Sequence, residues 1–230
     1  MKFLIPLVAL SALAFGEPNT LTDAEKSSGW RLIFDGKTTT GWVGLGKEAF
    51  PEKGWVVEDG TLKHVAKGGG GDIVTAEHFD DFELEWEWRI APGANGGLKY
   101  NLPDASKAVG CEYQLIDDLQ HPDVKAHDGT RTTASLYDVL KPAPDKKLKP
   151  VGEWNSSRIL VKGNHVEHWL NGTKTVEFEF GSDALKAAIA QSKFKNTSGW
   201  GVKTKSPILM QDHGDEVAVR SMKIKTPGNK

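Results

Sequence analysis

The segment Phe82-Glu83-Leu84-Glu85-Trp86-Glu87-Trp88-Arg89-Ile90 alternates large apolar and charged side chains at every step. A period of two belongs to an extended strand, so Leu84, Trp86, Trp88 and Ile90 share one face while Glu83, Glu85, Glu87 and Arg89 take the other. A helix would scatter both tryptophans around its circumference. The strand instead presents an indole-rich face that demands a second apolar layer, and this rules out most all-helical solutions.

The rest of the chain supplies that layer in short pieces. Strand-like runs occupy residues 29–34, 54–64, 98–100, 110–116, 134–139, 157–162, 165–170, 173–180, 206–211 and 216–225. Turn residues separate them. Asp59-Gly60 predicts a type I′ hairpin turn, and Gly163-Asn164 with Asn171-Gly172 predict a three-strand meander. Thr22 with Glu25 has capping-box spacing and predicts one short helical turn. Residues 182–194 form the one good amphipathic pattern, with Leu185, Ala188, Ile189 and Ser192 on a stripe. The Gly68–Gly71 run lacks a Gly-Lys-Ser/Thr ending and no helix pattern follows, so it reads as a flexible hairpin loop rather than a phosphate cradle. Some twelve short strands and one helix predict an all-β, two-sheet sandwich in a single domain.

One strand is unusual. In Cys111-Glu112-Tyr113-Gln114-Leu115-Ile116, Glu112 and Gln114 share a face opposite Cys111, Tyr113 and Leu115. The segment then leaves through Asp117-Asp118 and a His121-Pro122 turn. Acid, amide, acid and imidazole within ten residues suit a site that handles hydroxyl-rich ligands. A bulge would bring Asp117 onto the face of Glu112; without one, Asp118 takes that face.

Composition narrows the partners. The net charge of −2 gives no electrostatic reason to expect nucleic acid. Eight tryptophans suit stacking on sugars as well as filling a core. Lys2, an apolar run over 3–15 and the small-x-small Ala12-Leu13-Ala14 read as a signal peptide of residues 1–16, followed by an extension over 17–28 and the sandwich over 29–228. No cysteine lies near the cut, so a periplasmic or secreted protein is expected, with no membrane insertion after cleavage. The single Cys111 cannot form an internal disulfide.

Six motifs in order carry a resemblance. They are Gly29-Trp30 to Lys37, Asp80 to Ile90, Glu112 to Asp117, Gly152-Glu153-Trp154-Asn155, Val166 to Gly172, and Gln211-Asp212-His213-Gly214. Together they resemble the 3-keto-disaccharide hydrolase family. The resemblance implies a concanavalin A-like jelly roll related in architecture to family 16 glycoside hydrolases, and cleavage of glycosides whose sugar is already a 3-ketone. Leu98-Lys99 stands where the family more usually has Ile-Phe, and Ala134-Ser135 where it has Gly-Ala. Both departures bear on substrate preference.

A 3-keto sugar needs a base for the acidified C2 hydrogen, a donor for the enolate oxygen and an acid for the leaving group. His121 is the first choice as base or acid, with Glu112 and Asp117 as competing bases. His213, Arg158 or a divalent metal would stabilise the enolate, although no tight ligand spacing is visible. Asn95, Gln114, Tyr137, Arg158, Trp169, Gln211 and His213 are the expected substrate contacts. His168 alternates with Val166 and Leu170 and reads as a core histidine. The spacing Glu112-x-Gln114-x-x-Asp117 is similar to that of family 16 enzymes, but Gln114 cannot share a proton, which disfavours an ordinary endo-glucanase. A non-catalytic carbohydrate-binding sandwich is the other alternative. Hydrolysis and elimination stay open at this point.

Overall fold

The computed structural model describes residues 17–125 and 127–227; the expected signal peptide lies outside them. Thirteen strands and two helices follow in order: α1 (Asp23–Ser27), β1 (Trp30–Leu32), β2 (Trp42–Gly44), β3 (Trp55–Glu58), β4 (Thr61–His64), β5 (Ile73–Thr75), β6 (Phe82–Ile90), β7 (Asn95–Tyr100), β8 (Cys111–Ile116), β9 (Asn155–Lys162), β10 (His165–Leu170), β11 (Thr173–Glu179), α2 (Asp183–Ala190), β12 (Leu209–Met210) and β13 (Val217–Lys225). Two short 3₁₀ turns sit in the long β8–β9 connection.

The larger sheet runs β11-β10-β9-β6-β13-β4-β3, with β1 also on β13; the smaller runs β2-β5-β12-β7-β8. The chain is an all-β jelly-roll sandwich. Strand β6 sits inside the larger sheet and buries Leu84, Trp86 and Trp88. The alternating pattern is thus resolved: indoles toward the second sheet, carboxylates away from it.

Tyr113 of β8 packs edge-on against Trp86 at 5.0 Å between ring centroids. Its hydroxyl lies 2.7 Å from Ser157 Oγ, which accepts from Trp88 Nε1 at 2.8 Å. Tyr100 of β7 lies 2.8 Å from His168 Nε2. Buried rings bring large apolar area out of water, and the hydrogen bonds at Tyr113, Tyr100 and Trp88 offset their desolvation, while Trp86 Nε1 and His168 Nδ1 stay buried without a partner. These bridges therefore fix which residues of one sheet face which of the other. His168 is fully buried, as expected of a core histidine, and burial drives its pKa down to about 3.

Some local expectations are corrected. Residues 134–139 form no strand; Leu136 makes single bridges to Tyr113 and Leu140, and Ala134 and Asp138 have positive φ, which breaks an extended run. The glycines 68–71 do not close a hairpin. They connect β4 in one sheet to β5 in the other, and a Cβ on Gly70 would stand 2.3 Å from the Lys53 carbonyl oxygen, so the run exists for backbone contact. Helix α2 stops at Ala190, because Ser192 Oγ bonds the Ile189 carbonyl and accepts from Phe194 N–H. Among the described residues no helix is long and apolar enough to cross a membrane.

Candidate active site

The outer face of the smaller sheet carries the candidate site. In the β7–β8 ladder Lys99 pairs with Glu112, Gly97 with Gln114 and Asn95 with Ile116, without a shift of register. Antiparallel partners share a face, so Glu112, Gln114, Asn95 and Lys99 all project away from the core. Gln211 continues β12 beside them, its N–H bonded to the Gly97 carbonyl at 3.0 Å. The Gln211 side-chain oxygen is buried without a partner.

Gly97 makes this floor possible. A Cβ there would stand 2.2 Å from Glu112 Oε1, so the glutamate lies across the glycine. Glu112 is buried, and Lys99 Nζ approaches its Oε2 at 3.6 Å. Burial raises the Glu112 pKa, while Lys99, Lys193 and His213 pull the other way. The Gln114 and Asn95 amides lie 3.1 Å apart, and the Asn95 amide reaches His213 Nε2 at 3.4 Å.

Above the floor opens a depression of about 510 Å³ lined by Asn95, His121, Pro122, Asp123, Tyr137 and His213. The two imidazoles meet edge-on with centroids 6.2 Å apart. Each is held from behind. His121 Nδ1 accepts the Asp123 N–H at 3.2 Å. The turn carrying His213 is anchored by fully buried His64, which contacts the Asp215 carbonyl and Asp212 Oδ1, both at 2.7 Å. Asp215 Oδ2 also accepts the Asn95 N–H at 3.0 Å.

The opposite wall is a charge lattice. Tyr137 donates to Asp123 Oδ2 at 2.9 Å, and Arg131 spans Asp123 Oδ1 and Asp138 Oδ1, both at 2.6 Å. Burial opposes ionisation of Asp123, but the Arg131 and Tyr137 hydrogen bonds win and lower its pKa. Burial first, then Asp123, push the Tyr137 phenol up. Arg131 and Lys193 both lie within cation–π distance of the Tyr137 ring, at 5.4 and 4.2 Å. Asp123, Arg131, Asp138, Lys99, Lys193 and His64 were not among the expected site residues. Only the departure at Lys99 was a signal in the sequence.

Of the expected residues, Glu112, Gln114, Asn95, Gln211, His121, Tyr137 and His213 come together on one face. Asp117 does not line this depression. There is no bulge; its Oδ2 accepts from Gly93 N–H, and its Oδ1 from Leu119 and Gln120 N–H. Burial raises its pKa, but those three bonds outweigh it and lower the value. Asp118 is equally committed, to Thr133 N–H and Lys146. The paired carboxylates of an ordinary glycosidase are therefore not formed by Glu112 with either aspartate. Arg158 and Trp169 are also elsewhere. They sit on the far face of the larger sheet, where Arg158 stacks on Trp169 at 4.7 Å and pairs with Glu83 and Glu167. That face also holds His165, Glu167 and Glu177, a group close enough to bind a metal, but Lys174 Nζ already stands between the two glutamates.

Residues 29–225 match the 3-keto-alpha-glucoside-1,2-lyase-like domain family. The chain belongs to that family. A 3-keto-disaccharide hydrolase of Bacteroides thetaiotaomicron is 34% identical over 246 residues, 93% of this chain and 84% of the relative. A candidate glycosyl hydrolase of Parabacteroides distasonis superposes with a TM-score of 0.81 at 35% identity, covering 91% of this chain and 99% of that one. A second from the same organism gives 0.66 at 25%, covering 86% and 98%. The 3-keto-disaccharide hydrolase-like chain is a glycosidase-type enzyme.

Proposed function

We propose that this enzyme is exported and cleaves 3-keto-glycosides by elimination through an enolate. The observation that carries the reading is the pair of imidazoles meeting edge-on in a depression whose floor is amide and whose wall is a phenol. Family membership supports the substrate class.

The C3 carbonyl acidifies the C2 hydrogen. His213 takes that proton, and the electron pair passes into the C3 oxygen as the enolate forms. The enolate then collapses, the C1–O bond breaks, and the departing oxygen takes a proton from the enzyme. His121 suits a donor role: with its Nδ1 accepting the Asp123 N–H, the neutral ring carries its hydrogen on Nε2. Tyr137, tied to Asp123, and Asn95 would orient the sugar hydroxyls. Glu112 lies beneath the lining rather than in it, so it acts on the site through its neighbours. If water adds across the new double bond before release, the net reaction is hydrolysis.

The test is incubation of the purified protein with a 3-keto-disaccharide and its unoxidised parent, with products weighed by mass spectrometry. Release from the keto sugar alone is expected, and an unsaturated product differs from a hydrated one by one water. Equal cleavage of both sugars, or of neither, would sink the proposal.

A further inference from the structure

The amides of Gln114 and Asn95 can each point two ways, but their neighbours leave one choice. Two acceptors face the outer end of Gln114: the Gly96 carbonyl oxygen at 3.1 Å and Glu112 Oε1 at 3.2 Å. Two acceptors require a donor between them, so the Gln114 amide nitrogen points there and its oxygen points toward Asn95. That oxygen, 3.1 Å from the Asn95 amide, requires the Asn95 nitrogen to face it. Turned that way, the Asn95 amide puts its oxygen in the position 3.4 Å from His213 Nε2. Both amides are buried, so solvent offers them no alternative partner.

We infer that Glu112, Gln114 and Asn95 form a one-way hydrogen-bond chain that fixes the proton of His213 on Nε2 and leaves Nδ1 as the nitrogen that exchanges protons with substrate. The chain starts from Glu112, where Lys99 on β7, with Nζ 3.6 Å from Oε2, and Lys193 after α2 oppose the effect of burial and favour an acceptor at its head. Glu112, Gln114 and Asn95 are then positioning residues, acting through one another on a ring that none of them except Asn95 touches. This explains why a glutamine occupies the middle of the Glu-x-Gln motif. An acid there would face two acceptors with no donor to offer when ionised.

The inference rests on the proposed role of His213 for its consequence, but its test needs no substrate. Protein labelled with ¹⁵N-histidine is examined by long-range ¹H–¹⁵N correlation at a pH where the ring is neutral. The His213 signals are identified by their loss in His213→Gln. Wild type should show a single tautomer, with widely split nitrogen shifts and the hydrogen on Nε2. Asn95→Leu and Gln114→Leu should narrow that split as the ring mixes tautomers, whereas Asn95→Asp, which keeps an acceptor, should restore it. An Nδ1–H tautomer in wild type overturns the inference whatever the variants do. An unchanged split in a folded Asn95→Leu protein overturns it as well. Turnover of the keto sugar can fail while this tautomer stands, and the reverse, so the two readings fall separately.

Discussion

Gly96 and Gly97 are neighbours on β7 that face opposite sides of the smaller sheet, and they make a controlled comparison. Neither has a positive φ, so alanine is tolerated by the backbone at both. In Gly97→Ala the new Cβ stands 2.2 Å from Glu112 Oε1, against 3.4 Å for ordinary contact, so the carboxylate must move by about 1 Å. It has little room, with Lys99 and Gln114 around it. Losing a hydrogen bond to a charged group costs about 1.5–3 kcal/mol, or a Tm fall of about 3–12 °C for a chain of this size. An error of about 1 Å at a site costs on the order of 10²-fold in rate. In Gly96→Ala the Cβ meets Val217 Cγ2 at 2.9 Å in the core, an overpacking of about 1–3 kcal/mol. The two variants should therefore melt similarly but differ in kcat/KM on a 3-keto-glycoside by at least about tenfold, with Gly97→Ala the worse. Thermal melts and initial rates on both proteins decide this. Equal loss of rate would refute the claim that the Glu112 side chain, and not mere sheet integrity, supports the site.

Tyr137→Phe removes the donor to Asp123 Oδ2, a hydrogen bond to a charged group worth about 1.5–3 kcal/mol, so thermal melts should fall by about 3–12 °C and initial rates should drop with the loosened pocket wall. Arg158→Ala and Trp169→Ala, on the far face of the larger sheet, should keep wild-type rates; the lost surface ion pairs are worth about 1 kcal/mol or less in denaturant titrations. His168 has a folded pKa of about 3, below its unfolded value. The unfolded chain therefore binds the extra proton first, and this contribution to stability is complete above about pH 6.5 and is lost as pH falls toward 3, at up to about 1.4 kcal/mol per unit. Urea titrations across that range should show a shallower acid slope in His168→Gln.

What could be read in advance followed face parity. The alternation of β6 and the split of Glu112 and Gln114 from Tyr113 and Leu115 are local facts, and the sheets obey them. The Asp59-Gly60 and Asn171-Gly172 turns likewise adopt positive φ at both positions. Asp117 was not readable, because one N–H that occupies it belongs to Gly93 in another segment. Arg158 and Trp169 lie on the outer face of the larger sheet, away from the depression; parity within β9 and β10 says which residues share a face, not which outer face of the sandwich they take. The Asp123–Arg131–Asp138 lattice and Lys193 lie in irregular loops, where no period marks what will touch.

Strand β8 ends the smaller sheet, and its outward backbone groups are taken by the segment that also carries the phenol of the pocket: Ala134 N–H bonds the Gln114 carbonyl, and Tyr137 N–H bonds the Glu112 carbonyl. The wall of the cleft is thus also a cover for an open ladder. Anyone trimming this loop to admit bulkier glycosides would uncover a sticky strand, and the shortened protein should precipitate or pair with its own copies before any gain in substrate range could be measured.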